Sequence, residues 1–160
     1  VIMIKWILIV VLIAVIMLIA YSVSEQCKDR YDFYNNLKMF LNQFKINISF
    51  RQEKINNFLN SITPKKQFKC FIEEYKKYLS TGELNLDNVK VLEDEDKVIL
   101  NDIVKNIGKY DAKNEVQQLD TFLLTVDTRL SKALEDKNKL CPMIIKLALL
   151  FAIGLSILLI

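Results

Sequence analysis

The chain has 160 residues, of which 52% are hydrophobic and 26% charged, and the two classes occupy different parts of the sequence. Residues 1–21 and 141–160 contain one charged side chain each, Lys5 and Lys146. The other 20 basic and all 19 acidic residues lie in 22–140, which therefore carries a net charge of +1 and is long enough to bury one hydrophobic core. Three glycines and two prolines argue against a turn-rich β-sandwich or barrel, so an all-α fold is predicted.

The sequence contains few residues of the types that catalyse reactions or bind metal ions. The sequence has no histidine, which removes the usual general base and the commonest metal ligand. Cys27, Cys70 and Cys141 are widely spaced, with no pair at metal-ligand spacing, so we expect three reduced thiols. We expect no cofactor and no enzymatic activity. A membrane hydrolase that uses Asp94 and Asp96 is kept only as a competing hypothesis.

The first apolar run predicts a transmembrane helix. Counted from Ile2 to Tyr21 it holds 20 residues, or about 30 Å of helix, which matches the hydrocarbon thickness of a bilayer. Lys5 can snorkel to the interface, and Trp6 and Tyr21 stand at the two ends as interfacial anchors. A cleaved signal peptide is the alternative, but this apolar run is longer than the apolar region of a typical signal peptide.

The second apolar run, 143–160, predicts another span of about 27 Å, with Lys146 reaching back to the near interface. The expected organisation is a transmembrane helix at 1–21, a helical bundle at 22–140 and a transmembrane helix at 141–160. Positive charges near the spans are concentrated on the side of the bundle. Because such charges stay in the cytoplasm, the bundle is expected to be cytoplasmic.

Hydrophobic spacing divides the middle segment into helices. The first helical region runs from about residue 24 to 62, either as one long helix or as two helices with a break near 47–51. A second begins with Thr63 as cap and Pro64 as first residue and ends at Gly82. A short connecting helix is expected within 84–92, followed by an acid-led helix that Gly108 closes and a last helix over about 112–139.

Basic residues are concentrated between Lys38 and Lys69, where seven of them face a single acid. Arg51 interrupts an otherwise apolar helix face, and its stem is expected to pack while its guanidinium reaches water. The cluster could attract anionic lipid or an acidic protein partner, and it could equally be a solvated face. Nucleic acid is disfavoured because the middle segment is nearly neutral. Arg51, Lys54, Lys65 and Lys66 are the candidate contacts here.

The stretch from Leu92 to Ile160 resembles the stage III sporulation protein AB family of endospore-forming bacteria. The marks are Asp96 and Leu100 in the acid-led helix, Gly108 followed by Asp111, and a charged helix that passes into an apolar segment. The first half also resembles the family, through an apolar helix with Lys5 and Trp6 and the segment LKMFLNQFKINISF. The family's usual glutamine four residues after the aspartate is Glu115 here.

This resemblance implies a membrane platform subunit of the complex that joins mother cell and forespore, placed on the mother-cell side in the outer forespore membrane. It implies a bundle similar to the F-type platform protein of type II secretion systems. A secretion-type ATPase and other membrane subunits of the complex are the expected partners, and Asp96 and Asp111 join the candidate contacts. Self-association is left open. The alternative is an extracytoplasmic helical sensory or regulatory module.

Overall fold

The computed structural model describes residues 2–51 and 55–159, with side chains for 6–49 and 55–157. All regular structure in the described part is helical, which confirms the predicted all-α fold. The α-helices are α1 (Ile2–Ile46), α2 (Ile55–Ser61), α3 (Lys66–Thr81), α4 (Asp94–Asn106), α5 (Ala112–Glu135) and α6 (Cys141–Leu159). Two π-helical turns, Asn47–Arg51 and Asp136–Leu140, follow α1 and precede α6.

The chain divides into two compact units. One unit, here called the membrane hairpin, comprises Val1–Lys28 and Lys132–Ile160, and the other, the bundle, comprises Asp29–Ser131. The boundaries between the two units, at 28/29 and 131/132, both lie inside 22–140, the segment predicted to form the helical bundle. They do so because α1 and α5 each contribute residues to both units without interruption of the helix.

The apolar parts of the hairpin are mostly exposed. Two helices of the described chain are long and apolar enough to cross a membrane, and only 17% and 11% of their most apolar windows are buried. A core helix of a soluble protein would be mostly buried. Exposed side chains include Leu8, Leu18, Leu150, Phe151 and Ile157. This surface fits a bilayer, where apolar side chains face lipid.

The two apolar helices pack against each other along one stripe. Ile9, Ala20 and Ser24 of the first and Cys141 and Ala152 of the second are buried, and intervals of four and eleven residues place each set on one helix face. Small residues in such a stripe let helix backbones approach closely.

A disulfide joins Cys27 to Cys141, whose Cα atoms are 6.7 Å apart. The expectation of three reduced thiols is therefore wrong for this pair, while Cys70 is free. The pair is 114 residues apart in sequence, and only the pairing of the two helices brings it together.

The π-turn at Asp136–Leu140 accommodates Pro142. A proline in a helix lacks an N–H group, and its ring collides with the carbonyl four residues earlier. Here the N–H of Cys141 bonds instead to the carbonyl of Asp136, five residues back, which widens the helix just before the proline. Pro142 is the second residue of α6.

An aromatic cluster fills the centre of the bundle. The ring of Phe33 lies 5.9 Å from that of Phe68 and 5.8 Å from that of Phe71, both in edge arrangements. Phe40 contacts Phe58 and Tyr75 in the same cluster. Edge-to-face rings add stabilisation beyond their buried area. Aliphatic side chains of α4 and α5 complete the core: Leu100, Ile103, Val104, Leu119 and Val126.

Near 47–51, where a break was one of two alternatives, α1 ends at Ile46 and the chain continues as the π-turn Asn47–Arg51, so the described residues show a change of helix type and not an interruption. The predicted start of the second helix is displaced. Thr63 and Pro64 lie before α3, which begins at Lys66 after an extended Lys65. Gly82 ends α3 as predicted, with φ +77°, a conformation that a side chain would strain.

The predicted connecting helix within 84–92 does not form. The N–H of Val89 bonds to the carbonyl of Leu86, and that of Leu92 bonds to the carbonyl of Val89, which are turn hydrogen bonds spanning three residues. The side chains of Asn85 and Gln67 accept further backbone N–H groups of the segment. The buried residues Leu86, Val89 and Leu92 are three residues apart. This spacing is compatible with a helix and equally with successive turns, so the sequence pattern did not distinguish them.

We expect Phe33→Ala to lower the free energy of unfolding by about 3–5 kcal/mol, because it leaves a cavity in the aromatic cluster. The measurement is chemical unfolding of the full chain in detergent micelles, followed by circular dichroism. Val98→Ala, on the exposed side of α4, is the control and should cost less than about 0.5 kcal/mol. Equal effects of the two changes would contradict the described core.

Candidate interaction site

A buried ion-pair network joins α1, α4 and α5 at the end of the bundle that contains Asp29 and Ser131, here called the near end. The side chain of Asp96 has no exposed surface. Its Oδ2 atom lies 2.9 Å from Nη2 of Arg30, and its Oδ1 atom lies 3.4 Å from Nη1 of Arg129. Arg30 also pairs with Glu93, and Arg129 pairs with Glu95 at 3.3 Å.

The first turn of α4 explains why the acids lie here. Glu93 is the cap residue, and its side chain and that of Asp96 bond to each other's backbone N–H groups in a capping box. The N–H of Glu93 donates to Oδ2 of Asp96 at 3.3 Å. Acidic side chains also oppose the positive end of the helix dipole. The acid-led helix start is therefore confirmed, with Asp96 turned inward.

The environment of Asp96 sets the charge states around it. Burial, together with the neighbouring Asp96 carboxylate, raises the pKa of the Tyr34 hydroxyl far above its ordinary value, so Tyr34 stays neutral. Burial alone would lower the pKa of Arg30, but its hydrogen bond to Glu93 and the charge of Asp96 raise the pKa on balance.

No group of three metal-ligating side chains converges anywhere in the part of the chain that was described.

Because Asp96 is enclosed, we leave it out of the proposed contact surface and assign it to holding three helices together. The pairing of Asp96 with Arg30 and Arg129 was not predicted from the sequence. A signal existed, since the chain has only three arginines among its 22 basic residues, and Arg30 and Arg129 are two of them. Arginine suits buried ion pairs better than lysine because its planar group makes several hydrogen bonds at once.

Lys65 and Lys66 lie together beside a groove at the near end. A cavity of about 140 Å³ there is lined by both lysines and by Asp29 and Asp32 of α1. Nζ of Lys66 lies 2.7 Å from Oδ1 of Asp29 and 3.8 Å from Oδ2 of Asp32. Lys65 is exposed, and no ion pair is seen for it among the described residues.

A second cavity of about 260 Å³ extends the groove along α1. It shares Asn36 and Phe68 with the first cavity and is also lined by Met39, Gln43 and the segment 61–64. The groove therefore combines Lys65, which has no ion pair among the described residues, and the paired Lys66, Asp29 and Asp32 with apolar and amide side chains. Such a surface can accept an acidic segment of another protein.

The other predicted residues lie elsewhere. Trp6, Tyr21 and Lys146 are exposed on the hairpin, as interfacial anchors would be. Asp111 lies beyond the far end of α4, exposed, where its Oδ1 accepts a hydrogen bond from Asn114 at 2.5 Å. The side chains of Lys5 and Arg51, and all of Lys54, lie outside the described residues.

Glu115 is a buried acid without an expected role in the sequence. Its two oxygens accept the N–H groups of Gly108 at 2.8 Å and Tyr110 at 3.3 Å. It thereby satisfies the turn between α4 and α5, which Gly108 enters with φ +83°. A glutamine, the family's usual residue here, could supply one such acceptor.

The fold defines a class: a small helical bundle attached to a pair of apolar helices. The family model of stage III sporulation protein AB matches residues 5–160 of the chain. The chain therefore belongs to the stage III sporulation protein AB family and is a sporulation protein. No curated protein and no solved structure shows significant similarity to it.

We expect Asp96→Asn to destabilise the full chain by about 3–5 kcal/mol, because two arginines lose a buried counter-charge. Unfolding in detergent, followed by circular dichroism, measures the loss. Asp94→Asn is the matched control, since Asp94 lies two residues earlier with a fully exposed side chain and should change stability little. A loss for Asp96→Asn no larger than for the control would remove the structural role of the network.

Proposed function

We propose that this protein is a non-enzymatic platform subunit of the complex that joins mother cell and forespore, and that it couples a cytoplasmic secretion-type ATPase to the membrane assembly. Family membership supports the sporulation role. The observation that carries the membrane role is the exposed apolar surface of α1 and α6 in the hairpin. The similarity of the bundle to F-type platform proteins stays a prediction.

The charge distribution supports a cytoplasmic bundle. Lys28, Arg30 and Lys38 follow the first apolar run, and four basic residues precede the second: Arg129, Lys132, Lys137 and Lys139. Lysine and arginine near transmembrane helices are retained on the cytoplasmic side. The proposed location is therefore the outer forespore membrane, with the bundle on the mother-cell side.

The groove at the near end is the proposed docking surface for the ATPase. Lys65, which has no ion pair among the residues that the structure describes, offers a positive charge beside apolar side chains, and charge complementarity steers an acidic partner to such a surface. Arg51, Lys54 and Asp111 stay proposed contacts of the same kind. The exposed apolar faces of the hairpin are proposed to contact lipid and the other membrane subunits of the complex.

Lys65→Glu is expected to reduce recovery of the ATPase in pull-downs from sporulating cells by about tenfold, because it reverses the exposed positive charge of Lys65 at the groove. Lys76→Glu, on the exposed side of α3, is the control and should leave recovery unchanged. Unchanged recovery with Lys65→Glu would exclude the groove as the docking surface. Failure to recover the ATPase with the unsubstituted protein, while other subunits are retained, would count against the coupling role.

A second candidate function is an extracytoplasmic sensory or regulatory module. The Cys27–Cys141 disulfide favours it, because disulfides persist mainly in oxidising compartments. Both cysteines lie on the bundle side of the apolar segments. A disulfide that is present in untreated cells would place the bundle outside the cytoplasm and would exclude coupling to a cytoplasmic ATPase.

Labelling of Cys70 decides between the two. This thiol is free and partly exposed. A membrane-impermeant maleimide added to intact protoplasts should leave Cys70 unlabelled and should label it after lysis, if the bundle is cytoplasmic. Labelling before lysis would support the extracytoplasmic module. Labelling after lysis is the internal control for access to the thiol.

A further inference from the structure

We propose that the bundle binds a second copy of this chain through one face that α1 and α5 share, on which two Lys–Asp ion pairs lie alongside two rows of uncharged side chains. This inference is independent of the proposed ATPase coupling. The face, here called the neutral face, contains nine side chains on the outer sides of the two helices: Asn35, Met39, Asn42, Ile46, Gln117, Thr121, Leu124, Thr128 and Ser131.

The neutral face is unusual for a solvent-exposed helix surface. The outer side of α3 carries charges such as Glu73, Lys76 and Lys77, as soluble helices commonly do. The nine positions of the neutral face hold none, although 26% of the chain is charged. Leu124 is 71% exposed, Ile46 56% and Met39 53%. Large apolar side chains grouped in this way are typical of an interaction surface.

Three of the six polar side chains on this face donate hydrogen bonds to backbone carbonyls of their own helices. The hydroxyls of Thr121 and Thr128 donate to the carbonyls of Gln117 and Leu124, at 3.3 and 3.0 Å. The amide of Asn42 donates to the carbonyl of Lys38 at 3.0 Å. These hydroxyls and this amide can therefore be buried against another helix without losing their hydrogen bonds, and the threonine methyl groups add apolar area.

The spacing of the face suits helix packing. Its members recur at intervals of four and three residues on both helices, which is the pattern of helices that pack nearly parallel or antiparallel. α1 and α5 are themselves antiparallel neighbours. Nζ of Lys38 lies 2.7 Å from Oδ1 of Asp127, and Nζ of Lys45 lies 2.5 Å from Oδ1 of Asp120.

Charge complementarity identifies the occupant as a second copy. The two lysines are on α1 and the two aspartates on α5, and all four side chains are still 33–53% exposed. A two-fold axis parallel to the helices would place α1 of one copy antiparallel to α5 of the other, as within one copy. Each lysine would then meet an aspartate of both copies at the same level. A closed two-fold dimer buries both neutral faces at once.

The test uses the full chain in detergent micelles, with the protein mass measured by light scattering over a concentration series. We expect the unsubstituted protein to form a dimer and Leu124→Arg to raise its dissociation constant by at least about tenfold, since a charge would enter an apolar contact. Val98→Arg is the matched control, because Val98 is 63% exposed on α4, and it should leave the constant unchanged. A single-copy mass at all concentrations, or equal effects of both variants, would overturn the proposal.

A second measurement needs no variant. Peroxide oxidises exposed methionines to sulfoxides, and mass spectrometry gives the rate at each position. Met39 should oxidise several times more slowly at concentrations where the dimer prevails than in dilute solution. Met143 of the hairpin is the internal reference and should oxidise at one rate throughout. A rate at Met39 that does not depend on concentration would exclude the neutral face as the interface, even if the protein is dimeric.

Discussion

The bundle depends on the enclosure of one carboxylate. Asp96 has no contact with solvent, and it is tolerated there because Arg30 and Arg129 approach it from two other helices. The pairing requires α1, α4 and α5 to meet at one end with fixed register. Apolar packing alone specifies this register less strictly, because a core of interchangeable aliphatic side chains can slip. A buried ion group instead has few acceptable arrangements.

The membrane imposes the other constraint. Apolar helices in lipid gain nothing from burying apolar surface, so their pairing depends on close packing and on specific links. In the hairpin, small residues such as Ala20 and Ala152 lie in the contact, and the Cys27–Cys141 bond joins the two helices where they leave the apolar region. Closing a loop of this length also restricts the unfolded chain. The same bond is the feature that argues against a reducing compartment for the bundle.

These two units suit a protein that organises others. The hairpin exposes apolar surface that fits lipid, and the bundle presents the groove with Lys65, the neutral face of α1 and α5, which adjoins the groove at Met39, and the turn held by Glu115. A subunit that contacts a soluble partner, a second copy and membrane neighbours at once needs several such surfaces. Family membership places this arrangement in sporulation.

The sequence by itself determined the helical class, the two apolar segments and the start and end of α4, because these follow from composition, periodicity and capping within a few residues. It misplaced the start of α3 and predicted a helix where 84–92 forms turns, since local spacing does not distinguish the two. Only the tertiary structure decided that Asp96 is enclosed, that Cys27 meets Cys141 and that uncharged positions of α1 and α5 form one face. Each of these joins residues far apart in the chain, and no local pattern contains that information.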